Sequence, residues 1–345
     1  MSQEAPLGKE YLIEEEVGRG RFGIVWRCKH SSGETLALKA IDKTALTDPL
    51  DARCLLTEPK ILSHLDGHPH VTRLFDVYED DSHLHIVTEL CSGGDLHSLI
   101  SSVGPLPESQ ARDIFSQLMK AINHCHTCSV VHRDVKPDNV LFDSRGSVKL
   151  ADFGSADFVS PDGAGLTGVF GTPYYVAPEI LQGREYGEKV DIWSAGVLLY
   201  VMLAGFPPFY GDDAIEVFQA VLRGNLRFPL RTFHAVSPAV KDLLRKMLCK
   251  DVSRRFSADQ VLGTISPSLL PFHFIVQLIK YTYISHFPES RTSMDVHSPL
   301  KTDQTSRPGV QARYLISSTA APLVFTPACE LSKLFVPFCL VNVVR

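Results

Sequence analysis

The stretch Val130–Phe142, VVHRDVKPDNVLF, decides how this chain is read. Between His132 and Asn139 it packs a histidine, an arginine, two aspartates, a lysine and an asparagine. Apolar runs close it on both sides, as buried strands would. Carboxylates, a cation and an amide held this close suit the movement of a phosphoryl group, which needs positioning and charge neutralisation more than covalent help. In that reading Asp134 orients or accepts the proton of an attacking hydroxyl, and Lys136 offsets charge on the transferred group. Asn139 offers a hard oxygen ligand to Mg2+. An aspartate beside an arginine is more often a plain surface pair, so the reading depends on what surrounds the stretch.

Downstream, LADFGSA (Leu150–Ala156) adds Asp152, a second hard ligand suited to Mg2+ on nucleotide phosphates. Upstream, GRGRFGIV sets Gly18, Gly20 and Gly23 ahead of Val25. A lone GxGxxG could open a dinucleotide-binding unit, but that unit needs a helix N-terminus behind its glycines. Here the glycines lie between two strand patterns. A hairpin lid whose backbone N–H groups approach a phosphate chain fits better, with an ordinary β-turn as the alternative. LALKAI then puts Lys39 in mid-strand, where an ammonium is costly to bury without a partner. Glu58 on the following helix can pair with it and hold it toward a phosphate; a solvated edge lysine is the alternative. Each part is ordinary alone. The ordered set of glycine loop, Lys39, Glu58, HRD, Asn139 and DFG is specific.

The periodicity around these motifs changes once. Residues 11–41 alternate as a three-stranded antiparallel meander, DARCLLTEPKILSHL has helical spacing, and VTRLFDVYED and HLHIVTEL read as two more strands. Beyond CSGGDL the pattern is helical. PESQARDIFSQLMKAINHCHT places Ile114, Leu118 and Ile122 on one face, with Pro107 near its start. DIWSAGVLLYVMLAG is strongly apolar but shorter than a membrane span, and reads as a buried core helix. SPAVKDLLRKML is a helix capped by Ser237. The expected fold is therefore α+β and bilobal: a small antiparallel sheet with one main helix, then a larger, mainly helical lobe. The halves meet near Cys91–Gly94, and a cleft between lobes is where ligands sit.

Composition narrows the partners. Hydrophobic residues make up 44% and charged residues 21%, the balance of a globular protein. A net charge of −5 argues against nucleic acid as the main partner. The start, MSQEAPLGKEY, has no apolar signal core, and Ser2 rather than a glycine follows the initiator. Eight cysteines are too few for a disulfide scaffold, so a cytoplasmic or nuclear setting is expected. CHTC (Cys125, Cys128) lacks a second pair and reads as two helix-end thiols. A monomer is expected.

On these motifs the chain resembles the eukaryotic protein kinases over residues 11–262. GTPYYVAPE (Gly171–Glu179) is similar to that family's substrate-docking loop and VDIWSAGVLLY to its central helix. KDVSRRFSA supplies Arg255, which the resemblance pairs with Glu179. Lys136 and Thr172 match the serine/threonine kinases, which adds Thr172 to the catalytic set of Asp134, Lys136, Lys39 and Glu58. The resemblance implies ATP and Mg2+ as cofactors and a protein substrate. It places Val17, Gly18, Gly20, Gly23, Val25, Ala37 and Lys39 over the nucleotide. It places Glu89, Cys91, Asp95, Asn139, Leu141 and Asp152 on the other side, with Asn139 and Asp152 on the metal and Thr88 as gatekeeper.

Within the family, LCSGGDL, YYVAPEIL and LLYVMLAGFPPF resemble the calcium/calmodulin-dependent group, above all the plant calcium-dependent kinases. No EF-hand pattern D-x-[DN]-x-[DN]-G occurs, and no basic autoinhibitory helix follows. EEVGRGRFGIVWRC, EPKIL, LFDVYEDD, VLFDSRGSVKLADFGSA and AVLRGNLRFP resemble the plant phosphoenolpyruvate carboxylase kinases, essentially bare kinase domains. That implies Ca2+-independent phosphorylation of a serine near the N-terminus of phosphoenolpyruvate carboxylase. Asp95 and Asp138 stand where this group holds a basic residue N-terminal to the target hydroxyl; Asp95 equally reads as a helix cap or ribose contact. Gly168 stands where many relatives carry a phosphorylated threonine, with Thr167 out of register, so a loop working without activating phosphorylation is expected.

Two departures stand out. Pro59 follows Glu58 directly, and a proline inside a helix costs about 3 kcal/mol, so Glu58 is expected near a helix break or in an altered first turn. The family likeness stops at Leu262, where relatives continue into a short closing helix. The domain reading is an extension over 1–10, a small lobe over 11–90, hinge and large lobe over 91–262, and an atypical, poorly ordered tail over 263–345. Pro271, Lys280, Pro327 and Glu330 interrupt the tail's apolar runs, so no clear membrane span results. The tail reads as out-of-family sequence such as a retained intron would give; an anchor or a small domain is the alternative. With it comes a second functional reading, a splice-altered isoform with weak or no catalysis, or a kinase with another basic-motif substrate.

Overall fold

The computed structural model describes residues 10–20, 23–46, 49–160 and 164–265. The readings of the extension before residue 10 and of the tail beyond 265 lie outside the described residues.

Five antiparallel strands, β1 (Tyr11–Gly20), β2 (Gly23–His30), β3 (Thr35–Asp42), β4 (Leu74–Glu79) and β5 (His83–Glu89), form a sheet in the order β1-β2-β3-β5-β4. Alternation along β3 sorts its side chains between two cores. Leu36 and Leu38 join Cys28, Val87 and Tyr11 on one face. Ile41, Leu84 and Ile86 join the main core on the other, beneath helix α1 (Pro49–His64) with its buried Ile61 and Leu62. Lys39 shares the face of Ile41, and that face looks at α1.

Helix α1 runs through Pro59 without ending, so Glu58 sits in the helix interior, not at a break. That corrects the reading from local propensity. Proline removes one ladder bond and crowds the preceding turn. Here Ile61, Leu62 and Leu65, which follow the proline, are all 3% exposed or less, and Glu58, which precedes it, is buried as well. Tertiary packing overrides the local cost.

After β5 the chain crosses between lobes. Gly93 donates to Phe142 O and Phe142 donates to Gly94 O, both at 2.9 Å. Asp95 caps α2 (Leu96–Val103) by accepting the Ser98 N–H at 2.7 Å. Helix α3 (Glu108–Thr127) buries Ile114, Leu118 and Ile122 together with Phe115 and Met119. Two small sheets follow: β6 (Val130–Val131) with β9 (Asp157–Phe158), and β7 (Val140–Phe142) with β8 (Val148–Leu150). The opening stretch is thus a strand, an irregular loop, a 3-10 turn at Pro137–Asn139 and a second strand.

The large lobe is completed by α4 (Pro178–Leu181), α5 (Lys189–Ala204), α6 (Ala214–Arg223), α7 (Leu230–Phe233), α8 (Pro238–Met247) and α9 (Ala258–Ile265). Every residue of α5 from Val190 to Ala204 is buried, as suits a helix apolar all round. No described helix is long and apolar enough to cross a membrane. Ser237 caps α8 by accepting the Val240 N–H at 3.3 Å, and is itself bonded to Glu108 at the start of α3.

The lobes are also stitched behind the cleft, where Leu150 donates to His70 O at 2.8 Å and Thr72 Oγ1 to Leu150 O at 2.9 Å. In the same loop His68 stacks on His124 of α3 at 4.5 Å. Burial, reinforced by His124, His70 and nearby lysines, pushes the His68 pKa down to about 4. The imidazole is neutral in the fold and charged in the unfolded chain below about 6.5. Stability is therefore complete above that pH and falls as the pH drops from there toward 4. Thermal denaturation across this window should show a shallower acid-side loss for His68→Gln than for the parent; identical slopes would rule the imidazole out.

Candidate active site

The tip of the β1–β2 hairpin brings Gly20 opposite Gly23. A side chain at Gly23 would run into Ala40 O, so the hairpin can close on β3 only with glycine there. Val25 lies opposite Lys39, and Ala37 opposite Thr88, so these residues come from adjacent strands in register. Gly18 precedes the tip, and Val17 is exposed on β1. Below them Leu141 on β7 bridges to Asp95, and Cys91 is half-buried at the hinge. Burial, with the Glu89 charge next, pushes the Cys91 thiol up to about 12. Glu89 turns its carboxylate out of this space, accepting from Lys149 Nζ at 2.7 Å and from the Arg73 N–H at 2.8 Å.

Lys39 Nζ meets both Glu58 oxygens, at 2.9 and 3.1 Å, and Asp152 Oδ1 at 2.8 Å. Burial alone would lower the lysine's pKa. The carboxylates of Asp152 and Glu58 outweigh it and hold Lys39 well above its ordinary value. The same ammonium holds Asp152 down to about 2. A fixed cation and a fixed anion thus face one another across the cleft, and the Asp152 side chain is still 48% exposed.

Asp134 is the other focus. Thr172 Oγ1 donates to its Oδ1 at 2.9 Å, and Lys136 Nζ lies 2.8 Å from its Oδ2. Asn139 Nδ2 donates to the Asp134 backbone carbonyl at 2.9 Å. Lys136 Nζ also reaches Thr172 Oγ1 at 3.4 Å. Asp134, Lys136, Asn139 and Thr172 therefore form one cluster, and Lys39, Glu58 and Asp152 a second. His132 joins the two, because its Nε2 bonds Ala151 O at 3.0 Å, next to Asp152.

What shapes this loop is a residue the motif reading passed over. Asp191, at the start of α5, accepts the N–H groups of His132 and Arg133, each at 2.9 Å, and lies 2.9 Å from His126 Nε2. Burial pushes its pKa up, but the bonds from His126 and the backbone prevail and hold it below the usual range. The anchored loop carries Arg133 in the left-handed region at φ 67°, and Asp152 likewise at φ 59°. Non-glycine residues there are held by their surroundings at a cost, often at functional sites. The available signal was an isolated acid heading an otherwise apolar helix.

Asp95 spends both oxygens on its cap, since Ser98 donates from N at 2.7 Å and from Oγ at 2.9 Å. Asp138 is pushed up by burial against the pull of His97 and Lys136.

The donor set suits a small divalent cation carried by a phosphate chain. Asp152 is an ionised, open carboxylate. Asn139 commits its NH2 to Asp134, which leaves the carbonyl end of the amide as the ligand end. Both are hard oxygen donors. Among the described residues no three acidic, histidine or cysteine side chains converge as an all-protein cage.

A family model described as protein kinase domain matches residues 11–264. The chain is 41% identical to Calcium-dependent protein kinase 29 of Arabidopsis thaliana over 260 residues, 74% of this chain and 48% of that protein. It is 43% identical to Serine/threonine-protein kinase PEPKR2 of Arabidopsis thaliana over 257 residues, 74% of this chain and 53% of that one. It is 40% identical to Calcium-dependent protein kinase 24 of Oryza sativa subsp. japonica over 262 residues, 75% and 51% of the two chains. The chain spans about half the length of these relatives.

Proposed function

The chain belongs to the protein kinase family, and from that premise we propose that it transfers the γ-phosphoryl group of ATP to a serine or threonine hydroxyl of a protein. Kinase domains use ATP and a divalent cation; for this chain we take the cation to be Mg2+, held by Asn139 and Asp152. One observation carries the reading: the Asp134 carboxylate takes a hydroxyl proton donor, Thr172, on one oxygen and the Lys136 ammonium on the other. A substrate hydroxyl entering beside Thr172 would find a base to orient it and a cation to take up charge on the phosphoryl oxygens. Lys39, locked by Glu58, positions the nucleotide's phosphates. The divalent cation supplies further neutralisation of phosphate charge.

We assign phosphoenolpyruvate carboxylase as the protein substrate and Ca2+-independence as the mode of action. The support is the set of stretches resembling the kinases of that enzyme. Because Asp95 is committed to its cap, Asp138 is the acid left to favour a basic residue before the target serine. The segment ahead of Thr172 is held by backbone pairing, which supports a loop that works without activating phosphorylation. Leu166 and Tyr186 exchange N–H···O bonds at 2.8 and 3.0 Å, and Gly168 adopts φ 91°, a value that disfavours a threonine in its place.

The test is phosphate incorporation by bacterially made protein, shown free of loop phosphate by mass spectrometry. It is given labelled ATP, Mg2+, a Ca2+ chelator and intact phosphoenolpyruvate carboxylase, with Asp152→Ala as control. Labelled phosphoserine that persists in chelator and vanishes in the control is expected. Peptides with an arginine before the serine should outcompete those without. An unlabelled carboxylase alongside labelled generic substrates would overturn the substrate assignment; no labelling of any protein would overturn the kinase reading itself.

A further inference from the structure

Arg133 is only 4% exposed, and a carboxylate lies beside it, with Asp157 Oδ2 3.6 Å from its Nη2. The same oxygen accepts from Nη2 of Arg53 at 3.3 Å. Arg53 belongs to α1, the helix that carries Glu58; Arg133 immediately precedes Asp134. Asp157 itself is fixed by strand pairing, opposite Val131 in the β6–β9 sheet. One carboxylate thus joins the helix that locks Lys39 to the loop that holds the base. The rest of Arg133 is engaged as well. Its Nε donates to Ser155 O, its Nη2 to Ala156 O at 3.4 Å, and the buried Phe170 ring covers the guanidinium at 3.9 Å.

We propose that Asp157 is a positioning residue, an anion that ties α1 to the catalytic loop. This rests on the kinase reading above. A buried guanidinium needs its counter-charge, and deleting one partner of such a pair is disruptive. The Arg53 contact is exposed and adds little stability by itself. Its effect is on where α1 sits, and so on the Lys39–Glu58 pair. Phe170 covers the face of the Arg133 guanidinium and Asp157 lies at its edge.

Asp157→Asn keeps the shape and removes the charge. Its kcat should fall about tenfold, with KM for ATP within about threefold, because reacting groups displaced by a fraction of an ångström lose rate before they lose binding. Asp157→Glu should recover much of that loss. Hydrogen exchange should speed up in α1 and at residues 130–133 and not in α5, because local opening follows the contact removed. Arg53→Ala, an exposed change that leaves the core untouched, should reproduce the α1 exchange signature with a smaller fall in kcat. If Asp157→Asn lowers Tm but keeps kcat and the parent's exchange pattern, or changes neither, the proposal is overturned. Exchange is read without catalysis. An inactive parent whose Asp157→Asn variant still loosens α1 would sink the kinase reading and leave the contact standing.

Discussion

Replacing Asp134 by asparagine is expected to lower kcat by about 10²- to 10⁴-fold while leaving fold and nucleotide affinity intact, the range a positioned acid–base group contributes. The variant keeps the side chain's shape, so Thr172 can still donate to the oxygen it now meets at 2.9 Å. What disappears is the charge facing Lys136 at 2.8 Å. Burial presses the Lys136 pKa down, and Asp134 is the first of the groups that raise it, so the lysine's own poise depends on the carboxylate. Loss of the base and a weaker cation act on the same step, whereas the Lys39–Glu58–Asp152 cluster that would grip the phosphates is untouched. Single-turnover transfer from labelled ATP measures the first effect, and titration with a fluorescent nucleotide the second. Retention of the parent's rate by Asp134→Asn would remove Asp134 from the chemistry, whatever the geometry around it.

The parts of the site that could be read from sequence are those set by short-range rules. HRD, Asn139 and DFG lie within two strand–loop–strand pieces, and the facing of Lys39 toward α1 follows from alternation along β3. What stayed hidden depends on partners distant in the chain. Asp191 organises His132 and Arg133 from 59 and 58 residues away, and Asp157 meets Arg53 across 104. No local pattern announces such pairs. Strands β6 and β9, two residues each, are too short for any periodicity to register. Pro59 shows the opposite failure: the local rule was sound, and the burial of Ile61, Leu62 and Glu58 outweighed it. Asp95 reads from sequence as a holder of a basic substrate residue, a helix cap or a ribose contact, and its two bonds to Ser98 form the cap.

The second large effect lies away from the chemistry. Arg255 has a fully buried side chain that forms a fork with Glu179, Nη2 to Oε2 at 2.9 Å and Nη1 to Oε1. It also donates to Cys249 O and Lys189 O, each at 2.9 Å, and lies over Trp193. One guanidinium therefore joins α4, the start of α5 and the loop before α9. Glu179→Ala would leave that cation buried and half its fork unanswered, a loss of about 3–5 kcal/mol. At roughly 2–4 °C per kcal/mol for a domain of this size, Tm should fall by about 6–20 °C. Glu179→Gln, which retains an acceptor, should cost less. Arg255→Met should cost at least as much as Glu179→Ala, because it strands two backbone carbonyls as well as a carboxylate. The double change Glu179→Leu with Arg255→Met should be less damaging than the sum of its parts, since neither charge is then left alone in the core. The physical point at issue is whether the pair acts through mutual compensation or through the packing of each residue by itself. Strict additivity of the two single losses in urea denaturation would decide for packing and against the fork.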